Sequence, residues 1–158
     1  MSKLLLSSIV LALIMGSLPA RRCTCQKARE HEQPHGANES VEYVGKTVKA
    51  IRGRVVYYHD DSPADDVVVE VYEITPEDVK LNLHEIVLRR ARRAGCVTSK
   101  DGSFCFVDLP SGRYAVRAGT NSANAGMNEV YIKVNLDRRW WSRWLTSGEI
   151  NLQLTPGT

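Results

Sequence analysis

The sequence predicts an all-β protein folded as a seven-stranded β-sandwich. From residue 47 onward, apolar and polar residues alternate with a period of two, in short runs separated by turn-forming residues. Each run has one apolar and one polar face, which is typical of sheets that bury a single face. The 158 residues, 43% of them hydrophobic, provide for one core. The apolar faces are therefore expected to pack against one another in two layers.

Residues 1–20 have the pattern of a secretory signal peptide. Lys3 precedes an uncharged, mostly apolar run, and small residues follow up to Ala20. The run is shorter than the roughly 20 apolar residues that a spanning helix needs. We therefore expect export to the periplasm or the extracellular space, cleavage after Ala20, and no stable membrane insertion afterwards.

Residues 21–46 are polar and show neither helical nor strand periodicity, which predicts a linker or arm. The arm contains four potential copper or zinc ligands: Cys23, Cys25, His31 and His35. Structural zinc sites usually separate paired cysteines by two or more residues, whereas only one residue separates this pair. Oxidation of the two cysteines, or their pairing elsewhere, is the favoured interpretation, and we expect no cofactor.

The first two predicted strands are residues 51–58 and 67–74. Between them, residues 59–66 contain four aspartates around Pro63, a composition that favours a solvated turn. A calcium loop would alternate its oxygen ligands and place a glycine at the bend, and this segment does neither.

A hairpin is predicted between Cys96 and Cys105. Residues 99–102 are turn-forming, and β-forming residues flank them on both sides. A four-residue loop would place the two cysteines directly opposite each other, close enough for a disulfide after a modest twist. Two buried thiols are the alternative. The remaining predicted strands are residues 102–107, 112–118, 130–136 and 149–154.

A pattern of residues spread over 47–156 resembles the carboxypeptidase regulatory-like domain. It comprises Gly53, Val55, Pro63, Val67, Val69, Thr98, Asp101, Gly102, Phe104, Phe106, Leu109, Gly112 and Tyr114. The stretch from Asp101 to Tyr114 is the most specific part. There the resemblance implies an Asp-Gly turn, two inward aromatic rings, and Leu109 before a bend at Gly112. Tyr114 resembles a tyrosine corner, whose hydroxyl bonds to backbone a few residues upstream.

The resemblance implies a prealbumin-like sandwich that serves as a non-catalytic accessory module. The transthyretin-like hydrolases of urate breakdown have a similar fold, but their C-terminal Tyr-Arg-Gly-Ser ending is absent from this sequence. A nucleophile elbow, a phosphate-binding glycine loop and a HExxH sequence are also absent. We therefore expect a protein that is not an enzyme.

Residues 75–94 predict a helical insertion. Thr75 and Pro76 have the composition of a helix start, and a basic run ends the segment. The run contains Arg89, Arg90, Arg92 and Arg93. Positive charge suits a helix C-terminus, so a solvated helix end is the favoured interpretation, with docking to an acidic partner as the alternative.

All three tryptophans lie between the last two predicted strands. The candidate ligand-binding residues there are Arg139, Trp140, Trp141, Arg143 and Trp144. Indole rings stack on sugars and arginine adds charge, so these residues could form a recognition patch, or they could cover one end of the sandwich.

The surplus of 21 basic over 18 acidic residues is too small to predict nucleic-acid binding. The sequence alone therefore favours an exported, non-catalytic module that binds a protein of the cell envelope or has a structural role there. The alternatives are glycan binding by the tryptophan segment and metal binding by the arm.

Overall fold

The computed structural model describes residues 26–27, 41–119, 127–138 and 148–156. Several predictions fall on other residues and lie outside this description. They concern the signal peptide, the arm ligands Cys23, Cys25, His31 and His35, and the segment that contains Arg139, Trp140, Trp141, Arg143 and Trp144.

The described residues form two β-sheets, so the predicted β-sandwich is confirmed. The strands are β1 (Gln26–Lys27), β2 (Val41–Val48), β3 (Ile51–Tyr57), β4 (Val68–Glu73), β5 (Arg92–Val97), β6 (Ser103–Phe106), β7 (Gly112–Gly119), β8 (Val130–Leu136) and β9 (Ile150–Leu154). Sheet A has the order β1-β5-β4-β7-β8-β2, and sheet B has the order β6-β3-β9. Among these residues there are nine strands where seven were predicted, because β1 and β2 were not expected.

Strand β2 lies mostly within the segment predicted to be a linker. It pairs in parallel with β8 at the edge of sheet A, with a register shift between Tyr43 and Lys46. Most of its described side chains are at least partly exposed. An exposed edge strand needs no continuous apolar face, so its sequence lacks the period-two pattern. Strand β2 therefore belongs to sheet A, as does the short strand β1.

The core lies between the sheets and contains the inward aromatic residues of the predicted motif. Phe104, Phe106 and Leu109 are buried in it. Gly102 has a φ of +72°, and a Cβ there would lie 2.3 Å from the carbonyl oxygen of Val55. This turn therefore requires glycine both for its backbone conformation and for the close approach of β3.

Tyr114 has the geometry of a tyrosine corner. Its side chain is fully buried, and its hydroxyl donates a hydrogen bond of 2.7 Å to the carbonyl oxygen of Pro110. Gly112 begins β7 two residues earlier. The bond ties the start of β7 to the preceding loop.

The predicted hairpin between the two cysteines is wrong. Residues 99–102 do form a turn, but β5 belongs to sheet A and β6 to sheet B. Cys96 is a buried thiol whose register partner in β4 is Val69, and Cys105 is registered with Arg52 of β3. Cys96 points into the core, whereas Cys105 alternates with the buried Phe104 and Phe106 and points away from it, so a 96–105 disulfide is not formed. The error arose because a tight turn can carry the chain from one sheet to the other as well as join paired strands.

The helical insertion consists of a 3₁₀ turn, Pro76–Lys80, and the helix α1, Leu83–Arg89. The side chain of Asn82 accepts a hydrogen bond from the backbone N–H of Glu85, which caps α1. Val79 belongs to the 3₁₀ turn and is 57% exposed. Helix α1 packs on the outer face of sheet A through three buried apolar residues: Leu83, Ile86 and Val87. Within the described part of the chain, no helix is long and apolar enough to cross a membrane.

Candidate functional site

The outer face of sheet A carries a partly buried network of charged and aromatic side chains beside α1. The period-two pattern predicts that the residues on this face are solvated. Instead Tyr131 is fully buried and Arg117 is 9% exposed. The helix covers part of the face, and two arginines lie across the rest.

Glu70 of β4 is the centre of the network. Its Oε1 accepts a hydrogen bond of 2.9 Å from Nη1 of Arg92, and its Oε2 accepts one of 2.6 Å from Nη1 of Arg117. The hydroxyl of Tyr72 donates a further bond of 3.0 Å to Oε2. Both carboxylate oxygens are thereby satisfied, as a buried charge requires.

Two glycines leave room for the arginines to lie flat on the sheet. A Cβ at Gly95 would lie 3.2 Å from Cδ of Arg92, and a Cβ at Gly119 would lie 3.1 Å from Nη2 of Arg117. Larger residues at these positions would displace the guanidinium groups from Glu70.

Arg117 connects this centre to a second carboxylate, Glu129. The Nη2 group of Arg117 and the hydroxyl of Tyr131 both donate short hydrogen bonds to Glu129. Burial alone would raise the pKa of Glu129, but these two bonds outweigh it and hold the pKa below its usual value. Burial of Arg117 opposes its charge, but the carboxylates of Glu129 and Glu70 raise its pKa above the usual value. Both groups therefore stay charged at neutral pH.

His84, the second residue of α1, extends the network to the protein surface. Its Nδ1 lies 3.1 Å from the hydroxyl oxygen of Tyr131, and the two rings meet edge to face with centroids 5.9 Å apart. Burial, followed by the neighbouring carboxylate of Glu129, raises the pKa of Tyr131 well above its usual value. Tyr131 thus keeps its proton and shares it with Glu129. The position of α1 is fixed in turn by Glu42 of β2, which accepts a 2.9 Å hydrogen bond from the backbone N–H of Leu83.

The arrangement determines which nitrogen of His84 can accept a proton. The single hydroxyl hydrogen of Tyr131 is directed to Glu129, so the oxygen of Tyr131 must accept the hydrogen of His84 Nδ1. In the neutral imidazole the lone pair is then on Nε2, on the far side of the ring from Tyr131. His84 is exposed, so Nε2 can meet a molecule from solvent. Tyr131 orients the base His84, and Glu129 in turn orients Tyr131. General-base catalysis uses this arrangement of a base, a group that orients it and a further supporting group.

The predicted basic patch is divided by the fold. Arg90 follows α1 and pairs with Asp78 through Nη2 and Oδ1, 2.9 Å apart, while Arg92 belongs to the network. Arg89 and Arg93 are exposed. Arg90 and Arg92 thus pair with different carboxylates, Asp78 and Glu70. In the described ranges, no group of three or more His, Cys, Asp or Glu residues is placed to hold a metal ion.

Comparison with known proteins finds distant structural neighbours, among them the two that follow. No family model and no curated protein sequence matches the chain. The 5-hydroxyisourate hydrolase of Klebsiella pneumoniae is 17% identical, with 70% of this chain and 87% of that chain covered and a TM-score of 0.43. An (S)-allantoin synthase is 11% identical, with 75% of this chain and 41% of that chain covered and a TM-score of 0.37.

Both neighbours are named as enzymes. This finding contradicts the predictions that the chain is a non-catalytic module and not an enzyme. The predictions were wrong because they took the role of a module from its fold, and one fold can carry unrelated functions. The two likenesses are too distant to assign a reaction.

The sequence analysis missed this network. Glu70, Arg117 and Tyr131 occupy the outward positions of three strands, where polar residues are ordinary. Arg117 itself was a usable signal. It lies between apolar residues of a strand, and β-branched residues are frequent around it. Central strands of a covered sheet seldom carry isolated charges. His84 carries no local signal in the sequence, because its contact with Tyr131 spans 47 positions.

Proposed function

We propose that this protein is a hydrolase in which His84 is the general base. The observation that carries the proposal is the hydrogen-bond chain from Glu129 through Tyr131 to His84, which leaves Nε2 as the proton acceptor on an exposed ring. General bases of this kind accelerate reactions by about 10² to 10⁴-fold.

The proposed reaction is the attack of water on a carboxylic ester or amide. Nε2 of His84 takes a proton from water while the resulting hydroxide adds to the carbonyl carbon. The bond from that carbon to the leaving group then breaks, and the leaving group takes the proton back from His84. When His84 is transiently protonated, the nearby carboxylate of Glu129 stabilises its positive charge through Tyr131, as a buried acid does in other histidine-based sites.

Tyr131 and Arg117 are positioning residues in this scheme. Tyr131 fixes the ring and the tautomer of His84, and Arg117 holds Glu129 ionised beside Tyr131. Glu70 and Arg92 extend the same bonded array across the sheet and keep Arg117 in place.

We propose further that the sandwich is a carboxypeptidase regulatory-like domain and that the protein is exported. The motif from Asp101 to Tyr114 supports the first proposal, and the leader-like residues 1–20 support the second. Mass spectrometry of the mature N-terminus from the periplasm and the culture medium tests export. Recovery of the intact chain from the cytoplasm alone would contradict it.

The catalytic proposal is tested with four proteins: the native chain, H84Q, Y131F and the control H59Q. His59 is exposed and belongs to a different loop, where it pairs with Asp60. Hydrolysis of 4-nitrophenyl acetate, hydantoin and 5-hydroxyisourate is measured for each. We expect H84Q to lose about 10²-fold or more in kcat on a hydrolysed substrate, Y131F to lose less, and H59Q to lose nothing.

A second measurement does not depend on the substrate. Long-range ¹H–¹⁵N NMR reports which ring nitrogen of His84 carries the proton. We expect the Nδ1–H form in the native chain and a mixture of tautomers in Y131F. Absence of hydrolysis above the buffer rate, an H84Q variant as active as the native chain, or a native Nε2–H form would each overturn the proposal.

A further inference from the structure

A polar groove lies on the outer face of sheet B, on the opposite side of the sandwich from the network. It encloses about 480 Å³, and six of the residues that line it are Tyr43, Arg54, Asp61, Glu149, Asn151 and Gln153. This volume is within the range of small-molecule sites, about 300 to 1,000 Å³.

The floor of the groove follows from the parallel pairing of β3 with β9. The register places Arg54 beside Asn151, and Val56 beside Gln153. Alternate residues of the same strands, such as Leu152, are buried in the core, so the groove residues point outward. The floor is thus a rigid sheet surface, and Asn151 and Gln153 stand on one strand.

The wall of the groove comes from β2. The hydroxyl of Tyr43 donates a long hydrogen bond of 3.5 Å to the carbonyl oxygen of Gln153, and Nζ of Lys46 donates one of 2.7 Å to that of Glu149. These carbonyls lie on the edge of β9 away from β3, because among the described strands β9 pairs with β3 alone. An added peptide strand would have to displace both side chains. The groove is therefore built for a ligand other than an extended strand.

The charges around the groove are balanced. Arg54 lies 3.7 Å from the carboxylate of Asp101, and Oδ1 of Asp61 accepts a 3.1 Å hydrogen bond from the amide of Gln153. Nζ of Lys46 donates to the backbone carbonyl of Glu149. Charges of both signs therefore surround the groove, so neither anions nor cations gain a strong attraction there.

We infer that this groove binds a neutral polyhydroxylated molecule of the oligosaccharide class. Hydroxyl groups both donate and accept hydrogen bonds, and so do the two side-chain amides on the floor. The ring of Tyr43 adds an apolar surface of the kind that packs against sugar rings. The site is independent of the proposed hydrolase activity, and its named residues differ from Arg139, Trp140, Trp141, Arg143 and Trp144, which the sequence suggested for glycan recognition.

The inference is tested by titrating the ¹⁵N-labelled chain with chitotriose, cellotriose and maltotriose, with trilysine and a heparin disaccharide as charged probes. We expect one of the neutral trisaccharides to shift the side-chain amide signals of Asn151 and Gln153. The double variant N151A/Q153A should bind that sugar at least tenfold more weakly. N135A is the matched control, because Asn135 is an exposed amide on β8 of sheet A.

Thermal unfolding of each variant verifies that the fold is retained, as expected for surface positions. Four outcomes would overturn the inference: no shift with any neutral sugar, equal binding by N151A/Q153A and the native chain, binding of the charged probes alone, or shifts confined to the indole N–H signals of the tryptophans.

Discussion

The tyrosine corner permits a quantitative test of how the fold is stabilised. The substitution Tyr114→Phe removes one hydroxyl and keeps the buried ring, so the packing of the core is preserved. What is lost is the 2.7 Å bond from the hydroxyl to the carbonyl oxygen of Pro110. The effect of the substitution is therefore the free energy of that bond, plus any penalty for leaving the carbonyl without a donor.

The exposure of Pro110 decides between a small and a large effect. A buried acceptor left without a donor costs about 1 to 3 kcal/mol, whereas a typical net hydrogen bond contributes about 0.5 to 1.5 kcal/mol. Pro110 is an exposed residue, so water can replace the lost donor at its carbonyl oxygen. We therefore expect a loss of about 1 kcal/mol in the free energy of unfolding, or about 4 °C in Tm for a domain of this size.

Thermal and urea unfolding of the native chain, Y114F and Y58F measure this difference. Tyr58 is 63% exposed, so its substitution should change stability by less than about 0.5 kcal/mol. Equal stability of Y114F and Y58F would refute the assignment of the bond. A loss above about 4 kcal/mol would refute the argument that the ring and its packing are unchanged.

Three further predictions follow from close contacts and charge pairs. Gly53→Ala should destabilise the chain by about 3 kcal/mol in urea unfolding, because the new Cβ would lie 1.7 Å from the carbonyl oxygen of Ile150; an unchanged midpoint would show that β9 can move aside. The hydrogen bond from Arg90 lowers the pKa of Asp78 from 3.8 to about 2. The ionised carboxylate therefore stabilises the folded state fully at pH values above 3.8, the pKa of the unfolded chain, and this stabilisation declines as the pH falls toward 2. Asp78→Asn should therefore remove part of the acid sensitivity in unfolding curves recorded between these pH values, and identical curves would contradict the pairing. Arg117→Met should cost about 3 to 5 kcal/mol in urea unfolding, because Glu129 is left without its cation and Glu70 keeps only Arg92, and the exposed control Arg93→Met should cost little; equal effects of the two would show that the network is not stabilised by its charge pairs.

The strands and the motif from Asp101 to Tyr114 could be predicted because their signals are local. Alternation of apolar and polar residues reports which face of a strand is buried, whatever the partner strand is. An Asp-Gly turn with two flanking aromatics likewise needs only neighbouring residues, and Phe104 and Phe106 lie in the core as expected. The amino-acid sequence by itself therefore determined the β-sandwich and most of its core.

The tertiary structure alone decided which strands pair and what meets on the outer faces. It placed β2 at the edge of sheet A and put Cys96 and Cys105 in different sheets. It also placed His84 against Tyr131. Each of these features depends on residues far apart in the chain, between which a period-two pattern carries no information. The candidate site could not be predicted because a charged residue on a strand is solvated or buried according to what covers the sheet, and that is fixed only when α1 packs.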